Sequence, residues 1–159
     1  MASKIPFLLF ILALLAPLPG LAQCEDAESA KTNVLQLDQD IEQLIDLAQN
    51  REVVRKKQIE EIAVSLIKRG KWTEQDKAAF FISMMTAPEI LAMEAQKKPM
   101  RNSYMLATKT MILLKNKQDF KTACQNAAEI RFDLAKISEI NLKEYDWLLE
   151  KIRSIDTAK

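Results

Sequence analysis

The sequence predicts an all-α protein, a compact bundle of about six to seven helices with a central apolar helix near residues 99–115. Three observations carry that expectation. Apolar residues recur at steps of three and four along most of the chain, as in helices that bury one face. After residue 22 the chain holds one glycine, Gly70, and two prolines, Pro88 and Pro99, so few places break a helix. No stretch alternates β-branched with polar residues as a half-buried strand would.

The elements follow in order. A first helix is predicted over about Glu28 to Gln49, where Val34, Leu37, Ile41, Leu44 and Ala48 fall on one stripe. A second, about Glu52 to Lys68, ends at Gly70, a natural C-terminal cap. Thr73 caps a third, with Glu74 and Asp76 in its first turn where the helix dipole favours acids. Pro88 and Pro99 each suit the first turn of a further helix. A sixth, about Asp119 to Ile137, carries Phe120, Ala123, Cys124, Ala127, Ile130 and Leu134 on one stripe, which turns Cys124 inward. Asn141 with Glu144 three residues on resembles a capping box and opens a seventh. In the fifth helix, Pro99 to Lys115, the apolar residues lie on nearly every side, including Leu106 and Met111 on opposite faces, and a helix of that kind is expected to be buried. The run from Ala78 to Met85 is expected to pack against it.

Residues 1–22 have the layout of a cleaved secretory signal peptide: Lys4, a wholly apolar run from Phe7 to Ala16, then Gly20-Leu21-Ala22 as a small-x-small cleavage signal. The apolar run is about half of the roughly 20 residues that a membrane-spanning helix needs. The expectation is therefore one helical domain over 23–159, in the periplasm or secreted, with no transmembrane span after cleavage. Leu21-Ala22-Gln23-Cys24 resembles a lipobox in having Leu three places before a Cys, with the bulky Gln23 where that motif has a small residue. Acylation at Cys24 would make the protein a lipoprotein accessory subunit. Otherwise Cys24 and Cys124, the two cysteines of the chain, are expected to pair in an oxidising compartment.

Composition excludes several kinds of chemistry. With no His there is no His-dependent triad, His metal site or imidazole switch, and with two Gly in all there is no phosphate-cradling loop. No cofactor and no metal is expected. Glu28-Ser29 resembles the catalytic Glu-Ser dipeptide of lytic transglycosylases, over two residues and without the glycine-rich stretch that follows in that family. The chain is read as a non-enzyme.

Charge and methionine supply the candidate sites. From Gln23 to Asn50 there is one Lys against seven acids, and from Arg51 to Lys121 there are fifteen bases against eight acids. Acidic first helix and basic middle either pair internally or face partners, and the overall balance gives no nucleic-acid footprint. Arg55, Lys56 and Lys57 form a candidate basic patch. Trp147, flanked on its face by Lys143 and Lys151, is a candidate anchor for a partner. Six methionines lie between Met84 and Met111, and Met84, Met85, Met93 and Met105 are candidates for an adaptable apolar groove. The leading expectation is an exported module that binds a protein partner in the envelope, of inhibitor or immunity-protein type. The alternative is a carrier for an apolar ligand or peptide beside the Met-rich centre.

Overall fold

The computed structural model describes residues 24–116 and 119–157, apart from the side chains of Ala27, Arg101 and Tyr104. The signal-peptide reading of residues 1–22 lies outside the described residues. Among those described, 91% are helical and none is in a strand. Helix α1 spans Ala27–Lys68, α2 Glu74–Met85, α3 Pro88–Lys97, α4 Ser103–Lys115 and α5 Phe120–Thr157. A 3₁₀ turn, Lys98–Asn102, carries α3 into α4, so the described chain forms four helical bodies rather than six or seven.

The difference lies in the two long helices. The first and second predicted helices are one helix of 42 residues, and the sixth and seventh are one helix of 38. At 1.5 Å per residue they reach about 63 and 57 Å, which makes the molecule a rod rather than a compact bundle. No Gly or Pro interrupts either segment, and polar residues alone do not stop a helix whose flanks are packed.

α1 and α5 run parallel. Cys24 and Cys124 bridge them at their N-terminal ends, with Cα atoms 5.7 Å apart. Further along, Asp40 pairs with Arg131 at 3.3 Å and Arg55 with Asp146 at 3.0 Å. Arg69 and Asp156 pair at the C-terminal ends. The inward positions of α1 alternate steps of four and three through Ala30, Val34, Leu37, Ile41, Leu44 and Ala48, take a second consecutive step of four to Glu52, then resume through Arg55, Ile59, Ile62 and Leu66. In α5 the doubled step of four is Ile137, Asn141, Tyr145. Each helix thus has a stutter at the same level of the seam, where the supercoil locally unwinds.

The stutter divides the interior. An upper cluster joins Cys24, Ala30, Val34 and Leu37 to Ala123, Cys124 and Ala127, with Leu113 and Leu114 of α4 against it. A lower cluster joins Ile59, Ala63 and Leu66 to Phe80, Leu149 and Ile152, with Trp72, Phe81 and Met84 against it. The Ala78 to Met85 run therefore packs on α1 and α5 at the base, not on α4. Between the clusters, beyond Ala48 and Ile137, the seam carries a polar layer: Asn141 donates through Nδ2 to Glu52 Oε1 at 2.9 Å, and Lys97 Nζ donates to Asn141 Oδ1 and Glu144 Oε2, each at 3.0 Å. Asn141 and Glu144 are thus seam residues rather than the start of a helix.

Ends are set as local chemistry requires. Gly70, at φ 69°, follows α1; its N–H bonds the Ile67 carbonyl at 2.9 Å and that of Lys71 bonds the Leu66 carbonyl at 3.0 Å, a Schellman motif. No heavy atom lies within 4 Å of where a Cβ would stand at Gly70, so Gly70→Ala meets only backbone strain. It should cost about 1–2 kcal/mol, read from urea unfolding. Thr73 and Asp76 form a reciprocal capping box on α2.

Candidate interaction surface

The return path from α3 to α4 climbs back along the α1–α5 pair. Lys97 anchors its lower part in the polar layer. Burial lowers the Lys97 pKa, but contacts with Glu94 and Glu144 outweigh it, so the ammonium is held above its ordinary 10.5. Its stabilising effect is complete below that value and is lost as pH rises through the elevated one. Glu144 Oε1 is buried and has no hydrogen-bond partner among the described residues. Higher up, the Ser103 hydroxyl donates to Asp133 Oδ2 at 2.7 Å and the Thr110 hydroxyl to the Leu106 carbonyl at 2.8 Å.

α4 is not the buried centre that its composition predicts. Among its described side chains the most buried are hydroxylic, Ser103 at 7% and Thr110 at 6% exposure, whereas Met105, Met111 and Ile112 are 56%, 65% and 53% exposed. Leu106, Leu113 and Leu114 are half-buried. The reason is topological. The two long helices bury their stripes against each other, so α4 lies outside them and only one of its faces finds a neighbour. A cleft of about 100 Å³ opens between α1, α4 and α5, lined among others by Val34, Ile41, Ala107, Thr110, Met111 and Ile130.

The groove candidates do not converge. Met84 packs on the lower cluster, Met85 is exposed, Met93 is half-buried and Met105 points outward. None of them lines the cleft, where Met111 does. The basic triplet also separates, because successive helical residues point about 100° apart. Arg55 faces Asp146, Lys56 sits 5.3 Å over the Tyr145 ring and 4.0 Å from Glu52, and Lys57 pairs with Glu61 at 3.9 Å on the solvent side. The acidic region lies in α1, whereas the basic one begins in α1 and runs on through α2, α3 and α4; the ion pairs Asp40–Arg131 and Arg55–Asp146 join α1 to α5, and Glu60–Lys77 joins it to α2.

Trp147 is half-buried, with Lys151 Nζ 5.1 Å over its ring, while Lys143 is taken by Glu139 at 2.7 Å. It stands seven residues after Ile140, which is 4% exposed, so it continues a second buried face of α5. The sequence stripe centred on Tyr145 and Leu149 marks only the face toward α1. Two features were missed by sequence reasoning: the outer face of α4 and the polar layer. A signal for the first was present, since Glu94 and Asp119 enclose six bases and no acid.

Three helix starts carry an aspartate as acceptor. Asp26 accepts from the Ser29 hydroxyl and from the Glu28 and Ser29 amides, Asp76 from the Thr73 amide and hydroxyl, and Asp119 from the Thr122 hydroxyl and amide. These bonds hold all three carboxyls below their ordinary 3.8. A carboxyl lowered in the folded state stabilises above the ordinary value and loses that effect as pH falls through the lowered one. Acid unfolding should therefore set in below 3.8, and Asp119→Asn should flatten that limb when unfolding is followed by circular dichroism.

Glu28 is exposed in the first turn of α1, and no group of three or more His, Cys, Asp or Glu able to hold a metal occurs among the described residues. No single described helix is long and apolar enough to cross a membrane. The Cys24 sulfur is bonded to Cys124. Comparison with protein-family models, curated proteins and solved structures finds no match for the chain.

Proposed function

We propose that the protein is an exported helical module that binds a protein partner, of inhibitor or immunity-protein type, through the outer face of α4. One observation carries the reading: α4 turns Ser103 and Thr110 inward and leaves Met105, Met111 and Ile112 in water. Contiguous exposed apolar surface on a soluble protein marks a contact site, and thioether side chains adapt to the shape they meet. The disulfide fits an oxidising compartment and supports the export reading. The cleft, at about 100 Å³, is small beside the roughly 300–1,000 Å³ typical of small-molecule sites, which favours a protein partner over a carried ligand.

Photo-crosslinking residues placed at Met105 and Ile112 should capture one partner in the producing cell, while the same residue at exposed Lys57 should not. With the partner purified, Met105→Lys combined with Ile112→Lys should weaken binding about tenfold or more. Met111→Ala should change stability by less than about 0.5 kcal/mol, as for other surface substitutions. Equal capture at Lys57, or wild-type binding by the double variant, overturns the reading.

A further inference from the structure

Resting on the protein-binding reading above, we infer that the α4 face receives an acidic amphipathic helix of the partner, one of whose apolar side chains enters the cleft between α1, α4 and α5. Charge makes the first argument. The stretch 95–118 carries six bases and no acid. On α1 and α5 the bases Arg55, Lys57 and Lys143 are each paired with a carboxylate, while Arg51, Lys68, Lys121 and Arg153 form no ion pair among the described residues. Lys98, Lys109 and Lys115 are exposed and form no ion pair among the described residues. Unpaired like charges around an apolar surface are complementary to a partner that brings the opposite sign.

Arrangement makes the second. At 100° per residue the exposed arc of α4 runs from Met111 past Lys115, Ile112 and Met105 to Lys109. Ile112 and Met105, with Thr108 beside them, lie between the two bases, and Met111 lies beyond Lys115 on the side of the cleft. A helix laid in such a place presents apolar anchors at i, i+3, i+4 and i+7 and acids on either flank. The cleft makes the third. It opens beside Met111, and its lining is mostly apolar, with Val34, Ile41, Ala107, Leu114, Ala127 and Ile130 beside Thr110 and one carboxylate, Asp38. An indentation of that kind suits one branched aliphatic side chain. A bilayer, by contrast, is met by a continuous apolar face without a socket.

Two synthetic helical peptides test this, sharing one leucine face, with glutamate on the polar face of the first and lysine on that of the second. Each is titrated into the disulfide-bonded protein carrying isotope-labelled methionine methyls. The glutamate peptide should move the Met105 and Met111 signals and leave that of Met84 in place, with binding that weakens as salt is added. Lys109→Glu with Lys115→Glu should weaken it about tenfold and restore binding of the lysine peptide, as charge reversal at an interface rim does. Equal binding of the two peptides, shifts confined to Met84, or no shift at all overturns the inference. So does a response of Met105 and Met111 to phosphatidylglycerol vesicles but not to the glutamate peptide, which would assign the face to a lipid surface. A partner crosslinked at Met105 whose affinity ignores the charge reversal overturns the acidic helix and leaves protein binding standing; loss of position-specific crosslinking overturns both.

Discussion

Replacing both Cys24 and Cys124 with Ser lowers stability by about 2–5 kcal/mol, the range for native bridges in small exported domains. Both sulfurs are fully buried in the upper cluster. The bond spans 100 positions, and the chain-entropy model assigns a loop of that size up to about 4.7 kcal/mol. The neighbours are small, Ala30, Ala123 and Ala127, so the upper cluster has little apolar volume to compensate. Equilibrium unfolding in urea measures the loss, and thiol titration of the denatured wild type should find no free thiol. Two titratable thiols in protein isolated from its natural compartment would remove the basis of the prediction.

Leu66→Ala and Ile152→Ala should each cost about 2–5 kcal/mol. Both side chains are wholly buried, on facing stretches of α1 and α5 in the lower cluster. No disulfide reaches this end, whose surface contacts include Arg69 with Asp156, Lys71 Nζ with the Asp156 carbonyl and Lys77 with Glu60. Exposed pairs of that kind contribute little, so apolar burial must hold the base together. Thermal unfolding read at Trp72, which packs on the cluster, reports the change. A loss under about 1 kcal/mol at both positions would mean that the lower seam is looser than its burial implies.

Much of the architecture could be read from residue chemistry. Gly70, the Thr73–Asp76 box and Pro88 each mark an end that the structure keeps, because capping depends on a few neighbouring atoms. Cys124 falls on the inward stripe of α5 for the same local reason. The readings that failed depended on distant neighbours. Asn141 and Glu144 have the spacing of a cap, yet Glu52 and Lys97, far away in the chain, use their polar groups inside the seam. The apolar residues of α4 show that several faces avoid water, but periodicity does not say which of them the fold covers. Trp147 stands off the stripe that faces α1, and because α5 has neighbours on two sides the stripe alone does not fix how deeply it sits.

The parallel course of α1 and α5 also governs how the chain can fold. Antiparallel neighbours zip up from a short turn, but here the partners at Asp40 and Arg131, or Arg55 and Asp146, are separated by 91 residues. Nearly every seam contact is non-local, an unusual burden for an all-helical chain, whose contacts are mostly close in sequence. During synthesis the apolar stripe of α1 has no mate until the last quarter of the chain has emerged. It must therefore stay unpaired, or be shielded by other molecules, until α5 arrives.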